Sequence, residues 1–116
     1  MSGDTSQQKA AKATQYLIDS AAEIAAAKSD LIRCENMLRV VKSLAMRHSN
    51  EKSAAAQERE AYASSQYQDA VSELAEVAGT YEKHRALREA AKMQIEYWRS
   101  LNANQRGAER GYGSAA

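Results

Sequence analysis

The chain of 116 residues contains no proline and no phenylalanine, and four of its five glycines lie near its two ends. A β-sheet protein needs a turn roughly every 8 to 12 residues, and turns are built mainly from glycine, proline, asparagine and aspartate. These residues are too sparse between Asp4 and Asn104 to supply so many turns. The chain is instead rich in alanine, glutamate, glutamine, lysine, arginine and leucine, which lose little conformational freedom in a helix. The sequence therefore predicts an all-α protein.

Disulfides and long apolar runs are also missing. Cys34 is the only cysteine, so no intrachain disulfide can form, and this favours a reducing compartment. The opening residues MSGDTSQQK lack the apolar stretch of a signal peptide. No window approaches the run of about 18 apolar residues that a transmembrane helix needs. We therefore expect a cytoplasmic protein that makes no membrane contact.

Net charge is small but unevenly distributed. The formal charge of +1 argues against a strongly basic nucleic-acid coat protein. Acidic side chains dominate from Gln57 to Glu82, whereas lysine and arginine outnumber glutamate from Lys83 to Arg110. We expect charge pairing between helices to help set their register.

Large apolar residues recur every seven positions in the first half of the chain. Three positions after each of them lies a smaller or polar residue, as in Ser20, Ala27 and Cys34. This is the heptad pattern of a coiled coil, and small residues in one row let a partner helix approach closely. The pattern predicts a helix over about 5–47, followed by a turn over about 48–53. The large row consists of Leu17, Ile24, Leu31 and Leu38.

A second heptad pattern predicts a helix over about 54–104. Leu74 and Ile95 belong to its large row, which Arg88 interrupts. Gly79 is either a glycine inside one continuous or kinked helix or a break that would give three helices. The heptad phase carries on past Gly79, which favours a continuous helix.

The two predicted helices form an antiparallel coiled-coil hairpin, a single domain over 1–104. The last segment, 105–116, contains three glycines and no apolar period, so we expect a flexible tail.

No constellation of residues indicates catalysis or ligand binding. Cys34 belongs to the small-residue row, so we expect it to pack as a small hydrophobe. His48 and His84 lack the spacing of metal ligands. Paired carboxylates such as Glu58 and Glu60 are common on solvated helical faces, and a hairpin offers no concave site for acid–base chemistry. We therefore expect no enzyme activity, cofactor, metal or small-molecule substrate.

The most informative polar feature is the second half of the second helix, where cations lie on one side together with an aromatic residue. Such a surface can follow a phosphate backbone and stack on unpaired bases. The alternative is that these cations are solvated and pair with Glu82, Glu89 and Glu96. The candidate contacts to nucleic acid or another anionic partner are Arg85, Arg88, Lys92, Trp98 and Arg99.

The segment 95–106, IEYWRSLNANQR, resembles the C-terminal ends of small alanine-rich helical accessory proteins of tailed phages and prophages. The resemblance covers about a dozen residues and implies a phage accessory protein.

Two functions follow as hypotheses. The preferred one is a non-enzymatic interaction module that self-associates or binds a protein partner, as a phage accessory or inhibitor protein would. The alternative is a single-stranded nucleic-acid-binding accessory of phage recombination or replication. In the first hypothesis the packing and interface residues are Leu17, Ile24, Leu31, Leu38, Leu74 and Ile95, with Trp98.

Overall fold

The computed structural model describes residues 3–114, and the side chains of 3–111. Within these residues there are four α-helices and no strand, so the all-α prediction is confirmed. The helices are α1 (Ser6–Asp19), α2 (Ala21–Arg47), α3 (Ala54–Ala63) and α4 (Ser65–Ser114).

The start of α1 is fixed by a capping box. The backbone N–H of Gln8 donates to Thr5 Oγ1 at 3.1 Å, and the Thr5 N–H donates to Gln8 Oε1 at 2.8 Å. This reciprocal pair satisfies two of the amide groups that a helix start leaves without partners.

The first predicted helix is interrupted at one residue, Ser20, between α1 and α2. Ser20 keeps nearly helical dihedral angles, φ −90° and ψ −2°. Its N–H still donates to the carbonyl of Tyr16 at 2.9 Å. Helical hydrogen bonding therefore continues up to Ser20, and 48–53 form the connection between α2 and α3.

The second predicted helix is broken at Ser64 and not at Gly79. Ser64 has an extended conformation, with φ −67° and ψ 148°. Its hydroxyl donates to the Ala61 carbonyl at 2.7 Å and accepts from the Tyr67 N–H at 3.2 Å. One side chain thus satisfies a backbone group on each side of the break, which stabilises the end of α3 and the start of α4.

The fourth helix is longer than the sequence indicates. It passes through Gly79 without interruption and continues to Ser114. The prediction of a flexible tail from residue 105 is wrong for 105–114, while residues 115 and 116 lie outside the described residues. Alanine, glutamine, arginine and glutamate in this segment favour helix enough to offset its glycines.

Contacts divide the chain into two compact units. One comprises the described parts of Met1–Ala22 and Arg85–Ala116, and the other is Glu23–His84. The sequence, in contrast, predicts a single domain over 1–104.

Within Glu23–His84, residues late in α2 contact α3 and residues earlier in α2 contact α4. Lys42 pairs with Glu58, Cys34 with Glu73, and Lys28 lies over the ring of Tyr81. These helices therefore run antiparallel in this unit.

Small side chains occupy the buried positions. No large side chain in the described residues is fully buried. The small row that the heptads predict accounts for several buried positions, which allows close approach of the helices. The buried residues are Ala10, Ala13, Ser20, Ala27, Cys34, Ala61 and Ala91.

Between residues 3 and 114, no helix combines the length and the apolar character that crossing a membrane requires.

Replacing Gly79 with alanine is predicted to stabilise the protein by about 0.5–1 kcal/mol, because glycine inside a helix loses more backbone entropy on folding. A Cβ at Gly79 would have no atom within 4 Å, and its φ is not positive. Urea unfolding followed by circular dichroism measures the change. Gly3→Ala is the matched control, since Gly3 precedes α1 and also has open space. Equal midpoints for Gly79→Ala and the wild type would contradict an unstrained helix at this position.

Candidate functional site

A row of large apolar side chains lies on α2 away from its buried residues. We call it the α2 outer face and define it by Ile32, Met37, Val40 and Leu44. These side chains are between 46% and 48% exposed, whereas Ala27 and Cys34 on the same helix are buried. The spacing of three to five residues places the four side chains on one side of the helix. The helix is therefore apolar on two sides, and the described residues cover only one of them.

The charged side chains of α2 differ in their pairing. Arg33 lies among Ile32, Met37 and Val40 on the α2 outer face, whereas Glu35 and Arg39 lie to one side of it. Arg33 donates to Asp30 at 2.8 Å, one turn earlier on the same helix. Glu35 and Arg39 are exposed. Neither takes part in an ion pair or hydrogen bond within residues 3–114. At about 100° per residue, both Glu35 and Arg39 lie beyond Ile32, on the side of the helix away from Leu44.

A cavity of about 330 Å³ adjoins this face at Leu44. Val41 and Ala45 form its apolar wall, and Ser64 lines it where α3 ends. Glu60, also at the cavity, accepts a hydrogen bond from Ser49 Oγ at 2.8 Å. The break at Ser64 therefore leaves a concave apolar surface beside the exposed Leu44.

Three polar side chains in contact with one another join α2 to α3 within Glu23–His84. Lys42 Nζ lies 3.0 Å from Glu58 Oε1 and 4.7 Å from the centre of the Tyr62 ring. The hydrogen bond with Lys42 is the largest cause that lowers the pKa of Glu58, and the hydrogen bond with the Tyr62 side chain is the next. The pKa of Lys42 is raised most by its contact with Tyr62 and next by its contact with Glu58. Both groups are thus held in their charged forms, and the three side chains fix α3 against α2.

Cys34 is buried, as the small-residue row predicts, and its Sγ lies 3.9 Å from Glu73 Oε1. Burial is the largest cause that raises the pKa of the Cys34 thiol, and the nearby Glu73 carboxylate is the next. A thiol with a raised pKa is protonated at neutral pH, and the protonated form is a poor nucleophile.

The cations proposed as nucleic-acid contacts are largely engaged by other groups of the chain. Arg88 donates to the Leu17 carbonyl at 2.8 Å and to Ser20 Oγ at 2.7 Å. Lys92 pairs with Glu89 at 3.2 Å and Arg99 with Glu96 at 2.8 Å, which is the pairing that the alternative interpretation describes. Arg85 is exposed and Trp98 is half-buried.

Arg88 therefore has a structural position that the heptad pattern did not suggest. Its guanidinium satisfies a carbonyl at the end of α1 together with the hydroxyl of Ser20, which is only 3% exposed. An arginine in a core row facing a serine in the other core row is the signal that could have indicated this contact.

The six residues proposed for packing are all half-buried: Leu17, Ile24, Leu31, Leu38, Leu74 and Ile95. Sequence reasoning missed the α2 outer face, because its residues fall outside the two heptad rows. The signal was present as a second apolar row on the opposite side of the same helix.

Among the described residues, no three His, Cys, Asp or Glu side chains are grouped so that they could hold a metal ion. Comparison of the chain with protein-family models, with curated proteins and with solved structures found no match.

Replacing Arg88 with methionine is predicted to destabilise the fold by about 1–3 kcal/mol, because the Ser20 hydroxyl and the Leu17 carbonyl lose their donor. Arg99→Met is the matched control and should cost less than about 0.5 kcal/mol, since it removes only an exposed pair one turn apart. Chemical unfolding of both variants measures the difference. Equal costs for the two variants would show that the buried contact contributes nothing.

The Lys42–Glu58 pair predicts a defined pH dependence of stability. The pKa of Glu58 in the folded protein lies below its ordinary value of 4.5, so its contribution is complete above pH 4.5 and is lost as pH falls through the lower folded value. The pKa of Lys42 lies above 10.5, so its contribution is present below pH 10.5 and is lost as pH rises through the higher folded value.

Comparison of the wild type with Glu58→Gln tests this dependence. The difference between their urea midpoints should stay constant around neutral pH and shrink as the pH is lowered below 4.5. Glu89→Gln is the control, because Glu89 forms only an exposed pair with Lys92 on its own helix. A difference for Glu58→Gln that does not change with pH would refute the role of the charged pair.

Proposed function

We propose that this chain is a non-enzymatic helical interaction module that self-associates or binds a protein partner. The observation that carries the proposal is the α2 outer face, where four large apolar side chains are nearly half exposed. Fully burying a side chain of this kind is worth about 1.5–3 kcal/mol relative to leaving it exposed. A partner that covered the face would therefore gain a substantial part of that free energy from each of the four.

The composition of the interior supports the same proposal. The buried positions are filled by alanine, serine and cysteine, which remove little apolar area from water. Large side chains outside those positions stay at least partly in contact with solvent. Contiguous exposed apolar surface of this kind is typical of interaction sites, whereas single exposed hydrophobic residues are common on any protein.

The candidate catalytic groups have partners of a structural kind, which supports a function without catalysis. Glu58 pairs with Lys42, and Glu60 accepts from Ser49. Cys34 is buried beside Glu73 with a raised pKa. None of these groups has the activating neighbours of a nucleophile or a general base.

Nucleic-acid binding receives less support from the geometry than protein binding. Arg88, Lys92 and Arg99 all have partners within the chain, and a phosphate backbone would have to compete with them. The resemblance of 95–106 to phage accessory proteins leads us to place the proposed module among accessory or inhibitor proteins of phages.

A concentration series tests the proposal directly. We expect the mass of the purified full chain, measured by light scattering after gel filtration, to increase with concentration or with an added partner recovered by cross-linking and pull-down. A short single-stranded oligonucleotide should leave the mass unchanged at low and at moderate salt. A chain that remains monomeric at every concentration and recovers no partner would refute the proposal. A salt-sensitive increase with the oligonucleotide would favour the nucleic-acid alternative.

A further inference from the structure

We propose that α1 is a strap that opens from α4 while Glu23–His84 stays folded, with Ser20 as its hinge and Arg88 holding it closed. Opening uncovers the side of α4 that carries Trp98. This inference goes beyond the proposed function, because it concerns a conformational change within one chain and does not depend on what binds the α2 outer face.

The strap lies along the second half of α4. Arg88 contacts the end of α1 through the Leu17 carbonyl and the adjoining Ser20 hydroxyl. The compact unit that contains α1 groups it with the described part of Arg85–Ala116. From its contact with Arg88, α1 therefore runs towards the C-terminal end of α4.

Small side chains predominate where the strap meets α4. Four residues of each segment face the other, and at about 100° per residue each set lies within an arc of about 80°. The alanines among them are at most 9% exposed, but alanine removes little apolar area from water. The contact therefore contributes little hydrophobic free energy. Its residues, all buried or half-buried, are Ala10, Ala13, Leu17 and Ser20 on one side and Arg88, Ala91, Ile95 and Trp98 on the other.

The strap nevertheless depends on this contact for its helical structure. It has 14 residues, and an isolated helix of that length is marginal in water. Leu17 is the large aliphatic residue on its contact side, whereas the neighbouring Ile18 is 65% exposed. The ion pair of Lys12 with Asp4 stays within the N-terminal segment, so it does not attach α1 to α4.

The hydrogen bonds of Arg88 hold the strap closed. Arg88 Nη1 donates to the Leu17 carbonyl at 2.8 Å and to Ser20 Oγ at 2.7 Å. Opening breaks both bonds and exposes the three groups to water, which then forms hydrogen bonds with them. Because of this exchange, the net contribution of such bonds is small compared with that of a large apolar core.

Ser20 is suited to act as the hinge. It separates α1 from α2, and its dihedral angles are φ −90° and ψ −2°. Hinges are typically residues at the ends of helices or strands that absorb a change in φ and ψ. A rotation at Ser20 moves α1 as a body without unwinding either helix.

The unit Glu23–His84 has a firmer set of contacts between helices. The side chain of Lys42 joins α2 to α3, and that of Lys28 joins α2 to α4. α2 has 27 residues, about twice as many as α1. Regions with fewer contacts open at a lower free energy than the rest of a fold. The strap is therefore the part of this fold that opens first.

Trp98 provides a local probe of the strap, because it is the only tryptophan in the chain and lies on the contact side of α4. Urea unfolding of the full chain is followed at one dilute concentration by tryptophan fluorescence and by circular dichroism, which reports all the helices. We expect the fluorescence midpoint to lie about 0.5 M urea or more below that of the main circular dichroism transition. Coincident midpoints would indicate a single cooperative transition and would overturn the proposal.

Arg88→Met tests the contact that holds the strap closed. It should lower the fluorescence midpoint by about 0.5 M urea or more and leave the main circular dichroism transition unchanged. Arg99→Met is the matched control, since it removes only an exposed pair with Glu96 on the same helix, and it should leave both midpoints unchanged. Glu58→Gln acts on the other unit and should lower only the main circular dichroism transition. An Arg88→Met variant that lowers both midpoints equally would overturn the proposal.

Ser20→Ala tests the same contact from the other side, because it removes only the hydroxyl that Arg88 binds. It should lower the fluorescence midpoint, and combining it with Arg88→Met should lower the midpoint no further than Arg88→Met alone. Additive shifts would show that the two side chains act independently, and the role of their contact would be refuted.

Amide hydrogen exchange followed by mass spectrometry gives a readout in the absence of urea. Peptides from α1 should exchange about tenfold or more faster than peptides from the middle of α2. Arg88→Met should raise the α1 rate further and leave the α2 rate unchanged. Equal rates for α1 and α2 in the wild type would overturn the strap, whatever the variants show.

Discussion

Close packing of helices on small side chains is the constraint from which the other features of this structure follow. Ala27 and Cys34 let α2 approach its partners within Glu23–His84, and Ala10 and Ala13 do the same for α1 in the other unit. Small residues permit the approach but bury little apolar area, so hydrophobic stabilisation of the interior is modest. The large heptad residues, such as Leu31 and Leu38, flank these contacts and are only half-buried.

Specific polar contacts between helices therefore have a larger role in setting how the helices align. Lys42 holds Glu58 and the ring of Tyr62, and Arg88 satisfies both the Leu17 carbonyl and the buried Ser20 hydroxyl. These contacts join residues far apart in the chain and are geometrically demanding, so they determine which residues face each other. A thin apolar stripe alone would tolerate shifts of one heptad, whereas these contacts would be lost by such a shift.

The same constraint explains why the outer side of α2 is apolar. A helix whose buried side consists of alanine and cysteine has most of its large residues elsewhere, and Ile32, Val40 and Leu44 remain accessible. The described helices therefore leave this second apolar row of α2 nearly half exposed to solvent.

The sequence by itself determined the helical class, the turn between α2 and α3 and the small buried row, because each depends on local propensity or on a period along one helix. The heptad phase also favoured the continuous helix at Gly79. Only the tertiary structure decided the break at Ser64, the extension of α4 beyond Asn104 to Ser114 and the contact of Arg88. Serine can either cap or interrupt a helix, and glycine is tolerated inside one. Local preference therefore does not decide where these helices end, and contacts between segments that are distant in the sequence do. The heptad period identified which residues can pack against one another. Which side of α2 stays exposed depended on where the other helices pack, and the period along one helix does not determine that.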